Sequence, residues 1–240
     1  MQKFSKQQKK QFDEIFQNKK TESEIEKEFY KKTIKYIKFI KWLPGLKMVW
    51  VGNSISMNSA SKLSDIDLFI VTSPNSMWFV RIFVTFIFQF LWVRKTPKKH
   101  AWKFCLSFFA TTDWLDFSKF ALDNDPYLYF WILYFKPILN YENTYELFLE
   151  KNKSWVDFWE YEDVFEENKK YIKYKKTPLI TRERFWVGFL NNLFKKIFLP
   201  KTLKHYEKIW KPFWIIINDD LLKFHNWDIR KEIAEKIKNN

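Results

Sequence analysis

The sequence contains very little glycine: among its 240 residues, glycine occurs only as Gly45, Gly52 and Gly188. Average proteins have glycine at about 7% of their positions. The dinucleotide-binding motif GxGxxG and the phosphate-binding motif GxxxxGK both require closely spaced glycines, because their turns bring the backbone close to a phosphate. The wide separation of the three glycines excludes both kinds of nucleotide-binding fold.

Cysteine and histidine are also scarce, and this restricts the metal chemistry. The single Cys105 excludes an intrachain disulfide and a cysteine-based zinc site, and it fits a reducing compartment. His100, His205 and His225 are too far apart for an HExxH metal helix. A metal in this protein must therefore be held by carboxylates, and hard oxygen ligands favour Mg²⁺ or Mn²⁺.

The overall composition predicts a folded and strongly basic protein. Hydrophobic residues make up 47% of the chain and aromatic residues 21%, which is enough for a sizeable core. The formal net charge is +14 at pH 7. The lysines are spread over several predicted elements, which favours a solvated surface over a dedicated polyanion-binding stripe, with attraction for nucleotides or RNA as the alternative.

The most apolar segment, residues 77–93, contains Arg81, Thr85 and Gln89 at every fourth position. On a helix these three residues form one polar stripe, which predicts a helix buried between a sheet and other helices and no membrane span. A membrane-associated protein is a further interpretation, and it depends on this segment alone. The polar segment 1–20 lacks a hydrophobic run, so we expect no signal peptide and a cytoplasmic protein.

Hydrophobic periodicity and turn signals predict an α+β fold. A helix is expected over residues 21–43, ended by Pro44-Gly45, and another begins at Asp125-Pro126 and runs to about 135. Short runs rich in β-branched and aromatic residues predict strands at 46–51, 66–72 and 103–110. Later helices are predicted at 144–159, 181–211 and 228–238, with a charged break at 160–177 and with Pro200 and Pro212 breaking or kinking the long one.

This order of elements predicts a small mixed β-sheet with helices, followed by a C-terminal helical extension. We divide the chain into a polar N-terminal segment, residues 1–20, a catalytic region, residues 21–124, and a helical accessory region, residues 125–240, that packs on the catalytic region.

Two short motifs carry the chemistry: Gly52-Asn53-Ser54 after the first predicted strand, and Asp65-Ile66-Asp67 at the start of the second. Aspartates at i and i+2 on a strand point to the same side, while Ile66 points into the core. Two adjacent carboxylates repel each other unless a cation lies between them. A glycine followed by small polar residues lets backbone N–H groups approach a phosphate. The two motifs together predict a triphosphate site beside a divalent metal.

Gly52 and the Asp65-Ile66-Asp67 motif resemble the nucleotidyltransferase superfamily typified by DNA polymerase beta, and the stretch through Phe104 to Phe109 resembles uncharacterised bacterial nucleotidyltransferase-domain proteins. The resemblance implies a nucleotidyltransferase fold and a magnesium-dependent enzyme that moves an NMP group from an NTP, with ATP expected, to an unidentified hydroxyl acceptor. It also implies that Asp65 and Asp67 are the catalytic metal ligands for Mg²⁺ or Mn²⁺. Gly52, Asn53 and Ser54 would bind the triphosphate.

The sequence departs from the family pattern in two places, and these keep a second function open. Asn53 stands where the family usually has glycine or serine, and the third predicted strand has Ser107 where active members usually have a third carboxylate. Asp113 and Asp116, just past that strand, are weak substitutes, and Arg81 is expected to face either a phosphate or a salt-bridge partner. The alternative is a catalytically silent nucleotide- or RNA-binding module with the same fold.

Overall fold

The computed structural model describes residues 3–178, 185–208, 215–224 and 229–237. Within these ranges the centre of the protein is a mixed sheet with the strand order β4-β1-β2-β3-β6-β5. The strands are β1 (Leu46–Val51), β2 (Ile66–Thr72), β3 (Phe104–Thr111), β4 (Lys136–Asn140), β5 (Ile216–Ile217) and β6 (Leu221–Lys223). β2 and β3 are parallel, and the other neighbouring strands are antiparallel.

Helices cover both faces of the sheet and complete an α+β fold, as the sequence predicted. In chain order the helices are α1 (Lys6–Ile15), α2 (Glu24–Ile37), α3 (Asn53–Ser56), α4 (Met77–Phe90), α5 (Pro126–Leu133), α6 (Thr144–Asn152), α7 (Glu162–Lys169), α8 (Phe185–Lys208) and α9 (Arg230–Lys236). Strand side chains alternate between the two faces. Trp50 and Phe69 join the core under α1, α5 and α6, whereas Val49 and Ile70 join the core under α2 and α4.

Several predicted elements are confirmed in position as well as in type. β1, β2 and β3 lie where the strand signals placed them, and α4 follows β2. Asp125 caps α5 as expected, because its carboxylate accepts a hydrogen bond from the backbone N–H of Leu128 at 2.9 Å, and Pro126 occupies the first turn. Helix α4 is buried on one face, through Trp78, Val84 and Phe88, as predicted for this segment. Its other face leaves Phe86 and Phe90 exposed, so the predicted burial holds for only part of the helix.

The region after residue 125 is not purely helical, which corrects the predicted helical extension. β4 and β6 come from this region and extend the sheet at the edges of β1 and β3. Pro137 concealed β4, because proline cannot donate to a strand neighbour, but β4 is an edge strand and tolerates it. β5 and β6 are too short to give a periodic signal.

Three further expectations differ from the structure. The predicted polar segment contains α1, which begins with a capping box at Ser5 and buries Phe12. The predicted charged break contains α7, whose apolar face is narrow because it buries only Phe165 and Asn168. Helix α8 continues through Pro200, and Pro212 lies outside the described residues.

Helix α4 ends after four turns and is fixed at its start by a side chain of α8. The Asn191 amide oxygen accepts hydrogen bonds from the backbone N–H groups of Trp78 and Phe79, at 2.8 and 3.2 Å. These are donors that a helix cannot satisfy in its first turn. Among the helices in the described ranges, none combines the length and apolar character needed to cross a membrane.

A chain truncated after Asp123 tests whether the accessory region is part of one folding unit. The truncation removes β4 and β6, which exposes the edges of β1 and β3. It also removes α5 and the core residues that α5 contributes. We expect the fragment to aggregate and to lose a cooperative thermal transition, measured by size-exclusion chromatography and circular dichroism. A monomeric fragment with a sharp melting transition would show that residues 1–123 fold without the region 125–240.

Candidate functional site

Gly52 directly follows β1 in the chain, and in space it lies beside Trp131 of α5 and Phe135. Its backbone N–H donates a hydrogen bond to the carbonyl oxygen of Asp67 at 3.1 Å, and its φ of −121° is available to any residue. A Cβ at this position would lie 3.5 Å from the Phe135 ring and 3.9 Å from Trp131. The cavity beside Gly52 has a volume of about 10 Å³, which is about the space that one water molecule needs. The contact of Gly52 with a triphosphate stays a prediction.

Asn53 holds the second aspartate in place. Its φ of 56° lies in the left-handed region, which asparagine adopts more readily than most residues. Its Nδ2 donates to Asp67 Oδ2 at 2.7 Å, and its Oδ1 accepts a hydrogen bond from Trp131 Nε1 at 2.9 Å. Because both ends of the amide are engaged within the protein, the side chain of Asn53 orients Asp67. The contact of Asn53 with a triphosphate stays a prediction.

Ser54, the third residue of the predicted triphosphate site, lies in the short helix α3. Its Oγ is 3.5 Å from Ser64 Oγ, the outer limit of a hydrogen bond. The hydroxyl is thus only weakly held by the protein. Its contact with a triphosphate stays a prediction.

Asp65 and Asp67 converge with Cys105 at the start of the parallel strand pair. Asp67 lies directly opposite Cys105 in the register of β2 and β3. One carboxylate oxygen of each aspartate and the Cys105 Sγ all lie within 4.8 Å of one another, a spacing that suits one metal ion. Lys95 Nζ forms an ion pair with Asp65 Oδ2 at 2.6 Å, and the backbone N–H of Lys95 donates to the Phe104 carbonyl oxygen at 2.9 Å, which fixes Lys95 beside β3.

Burial and the neighbouring charge of Asp65 raise the pKa of Asp67 to about 6, against the opposing effects of Asn53, Cys105 and Lys95. Burial and the charge of Asp67 also raise the pKa of Cys105 to about 12. At neutral pH the site therefore contains a mostly ionised Asp67 carboxylate beside the protonated thiol of Cys105. A bound divalent cation would relieve the repulsion between the carboxylates.

The weak candidates for a third carboxylate are not brought to this site. Asp113 and Asp116 follow the far end of β3, and Asp113 is eight residues beyond Cys105, or roughly 25 Å along an extended strand. Asp116 instead caps a short 3-10 helix, where it accepts a hydrogen bond from the backbone N–H of Ser118 at 3.1 Å.

Sequence reasoning missed Cys105, since it placed Ser107 at the position facing the aspartates. β3 contains one extra residue between its pairings with Asp67 and with Phe69, and this irregularity shifts the register. Only the parallel pairing of β2 with β3 reveals which side chain of β3 faces Asp67. Ser107 lies beside the small cavity at Gly52 and also beside a larger cleft.

That larger cleft, of about 450 Å³, adjoins the aspartates and is basic. It lies between α4, the start of β3 and α8, and its charged lining residues include Arg81, Arg94, Lys95 and Lys201. Among the described residues that line it there is no aspartate or glutamate. The site thus combines a carboxylate pair with an adjacent cleft that attracts anions.

Comparison with known proteins gives no relative: no family model matches the sequence, and neither a curated protein nor a solved structure is similar to it. The function is therefore inferred from the residues of the site. The two features that carry most chemical information are the paired carboxylates and the basic cleft.

The pH dependence of stability tests the environment of Asp67. Folding raises the pKa of Asp67 to about 6, so the folded state binds its proton more tightly than the unfolded chain does. The contribution of Asp67 to the free energy of unfolding is greatest below pH ~4 and is lost as the pH rises to about 6. With a chelator present, we expect Asp67→Asn to gain stability relative to wild type over this range in urea unfolding experiments.

Asp113→Asn is a matched control, because it removes the same charge at the other end of β3. Its free energy of unfolding should follow that of wild type at every pH. A difference between wild type and Asp67→Asn that does not change with pH would contradict the raised pKa of Asp67.

Proposed function

We propose that this protein is a magnesium-dependent nucleotidyltransferase that moves an NMP group from an NTP, with ATP the expected donor, to a hydroxyl acceptor. The observation that carries the proposal is the convergence of Asp65 and Asp67, whose carboxylate oxygens lie within 4.8 Å of each other, next to a basic cleft that Lys95 and Cys105 line. The resemblance of the Gly52 and Asp65-Ile66-Asp67 motifs to the polymerase beta superfamily supports the same activity.

The donor set fits Mg²⁺ or Mn²⁺, because the carboxylates of Asp65 and Asp67 are hard oxygen ligands. The Cys105 thiol is protonated at neutral pH and leaves the binding of the ion to the carboxylates. The metal, when bound, would neutralise charge on the phosphates and lower the pKa of the acceptor hydroxyl. In the reaction the acceptor oxygen forms a bond to the α-phosphorus, and pyrophosphate leaves with the electron pair of the broken P–O bond.

The neighbouring residues prepare the carboxylates for this role. Asn53 fixes the orientation of Asp67, and Trp131 in turn fixes the amide of Asn53. Lys95 neutralises Asp65 through the ion pair and also lines the basic cleft. Its flexible side chain can therefore exchange a carboxylate for a phosphate oxygen of the nucleotide without leaving the site.

A second candidate, a catalytically silent nucleotide-binding module, is favoured by one specific observation. The residue of β3 that faces Asp67 is Cys105, and neither Cys105 nor Ser107 supplies the third carboxylate that the resemblance implies for active members of the superfamily. Without that carboxylate, an acceptor hydroxyl loses a base and a metal ligand. The protein would then bind a nucleotide with metal and transfer nothing.

Calorimetric titration with ATP, with and without Mg²⁺, tests both candidates. We expect Mg²⁺ or Mn²⁺ to strengthen ATP binding by roughly tenfold or more, and Asp65→Asn/Asp67→Asn to remove this gain, because contacts with charged groups contribute about 1.5–3 kcal/mol each. The double variant Asp113→Asn/Asp116→Asn is the matched control and should bind as wild type does.

Transfer is then measured with α-labelled ATP and fractions of RNA, protein and small molecules. Label transfer by wild type that the Asp65→Asn/Asp67→Asn variant lacks would support the enzyme. Metal-dependent binding without transfer would support the silent module. If folded wild type binds no NTP in the presence of Mg²⁺ or Mn²⁺, both candidates are wrong.

A further inference from the structure

Arg81 is a half-buried cation without a carboxylate partner in the described part of the chain. Its guanidinium lies between two aromatic rings, with Cζ 4.9 Å from the centroid of Trp78 and 4.6 Å from that of Phe224. The backbone N–H of Phe224 donates to the Ser107 carbonyl oxygen at 2.9 Å, which holds Phe224 at the edge of β3. Arg81 Nη1 is buried and has no hydrogen-bond partner.

The two aromatic rings offset part of the cost of removing the Arg81 guanidinium from water, but they do not replace the hydrogen bonds that its buried Nη1 loses. The charged residue that acts on Arg81 is another cation, because burial together with the charge of Arg94 lowers the pKa of Arg81 to about 10. The sequence left two roles open for Arg81, a contact with a phosphate and a salt bridge. The described residues provide no carboxylate partner for a salt bridge.

The surroundings of Arg81 match the chemistry of a phosphate. Arg94, Lys95 and Lys201 line the same cleft, and the described lining residues include no acidic side chain. The planar guanidinium presents parallel N–H donors that fit two oxygens of one phosphate group. The volume of about 450 Å³ lies within the range that holds small-molecule ligands, and Phe198 and Tyr206 add apolar lining surface for the rest of such a ligand.

We propose that this cleft binds the phosphate groups of a ligand of about one nucleotide's size, with Arg81 as the central phosphate-binding residue. The inference goes beyond the proposed function, because it requires neither a metal nor a transfer reaction. The cleft reaches the carboxylates through Lys95, Cys105 and Ser107, so the phosphates can belong either to the NTP donor or to a phosphorylated acceptor.

The test measures the binding of inorganic pyrophosphate and of AMP to the full-length protein by calorimetry, in EDTA so that no metal contributes. Wild type should bind both probes. Arg81→Met, which removes the charge but keeps an apolar side chain between the rings, should weaken binding by roughly ten- to a hundredfold. Lys196→Met removes one charge at an exposed position of α8 outside the cleft and should bind as wild type does.

Thermal unfolding separates a binding role from a structural one. Arg81→Met should keep a cooperative melting transition, because the methionine side chain packs between the two rings in place of the guanidinium. If Arg81→Met does not fold, Lys201→Met at the rim of the cleft and Arg81→Lys, which keeps the charge but not the planar fork, replace it, and both should weaken pyrophosphate binding. Wild-type affinity in folded Arg81→Met, or no binding of either probe by wild type at millimolar concentration, would overturn the proposal.

Two further arms identify the source of the phosphates. If AMP competes with ATP in the presence of Mg²⁺, the cleft binds the donor; if AMP and ATP bind together, the cleft binds a phosphorylated acceptor. Asp65→Asn/Asp67→Asn should still bind pyrophosphate in EDTA, because the carboxylates are not needed for this contact. The failure of the proposed nucleotidyl transfer can therefore be told apart from a failure of the phosphate site.

Discussion

The parallel pairing of β2 with β3 determines where the chemically important side chains lie. Parallel neighbours need a crossover, and here α4 and the segment after it provide the crossover over one face of the sheet. The crossover brings Arg81 and Lys95 to the same end of β3 as Cys105, and the register places Cys105 opposite Asp67. The metal-binding candidates and the basic cleft are therefore two consequences of one strand pairing.

The aromatic core on the other face supports the same site. Trp131 on α5 donates to Asn53, and Asn53 donates to Asp67, so the packing of α5 is transmitted to a carboxylate through two hydrogen bonds. Phe135, one turn further along, closes the space in front of Gly52. The cavity beside Gly52 is therefore small, at about 10 Å³, whereas the cleft at Arg81 has a volume of about 450 Å³.

Local sequence signals predicted the helices and strands that local backbone preferences and burial patterns determine. Alternating and β-branched runs identified β1 and β2, and the Asp125-Pro126 cap identified α5, because these patterns reflect local backbone and burial preferences. β4 was missed because its proline is tolerated only at a sheet edge, and edge positions depend on tertiary pairing. The spacing of Asp65 and Asp67 predicted that both side chains lie on one side of a strand. The position of Cys105 opposite Asp67 depends instead on the register between two strands far apart in sequence.

The binding of a divalent metal by Asp65 and Asp67 beside a nucleotide can be tested with a crystal structure. The wild-type protein is crystallised with Mn²⁺ and a non-hydrolysable ATP analogue, and anomalous scattering locates the manganese. We expect an anomalous peak coordinated by carboxylate oxygens of Asp65 and Asp67, with Lys95 moved from Asp65 to a phosphate oxygen. Bound analogue with Lys95 still paired to Asp65 and no manganese between the aspartates would contradict this expectation.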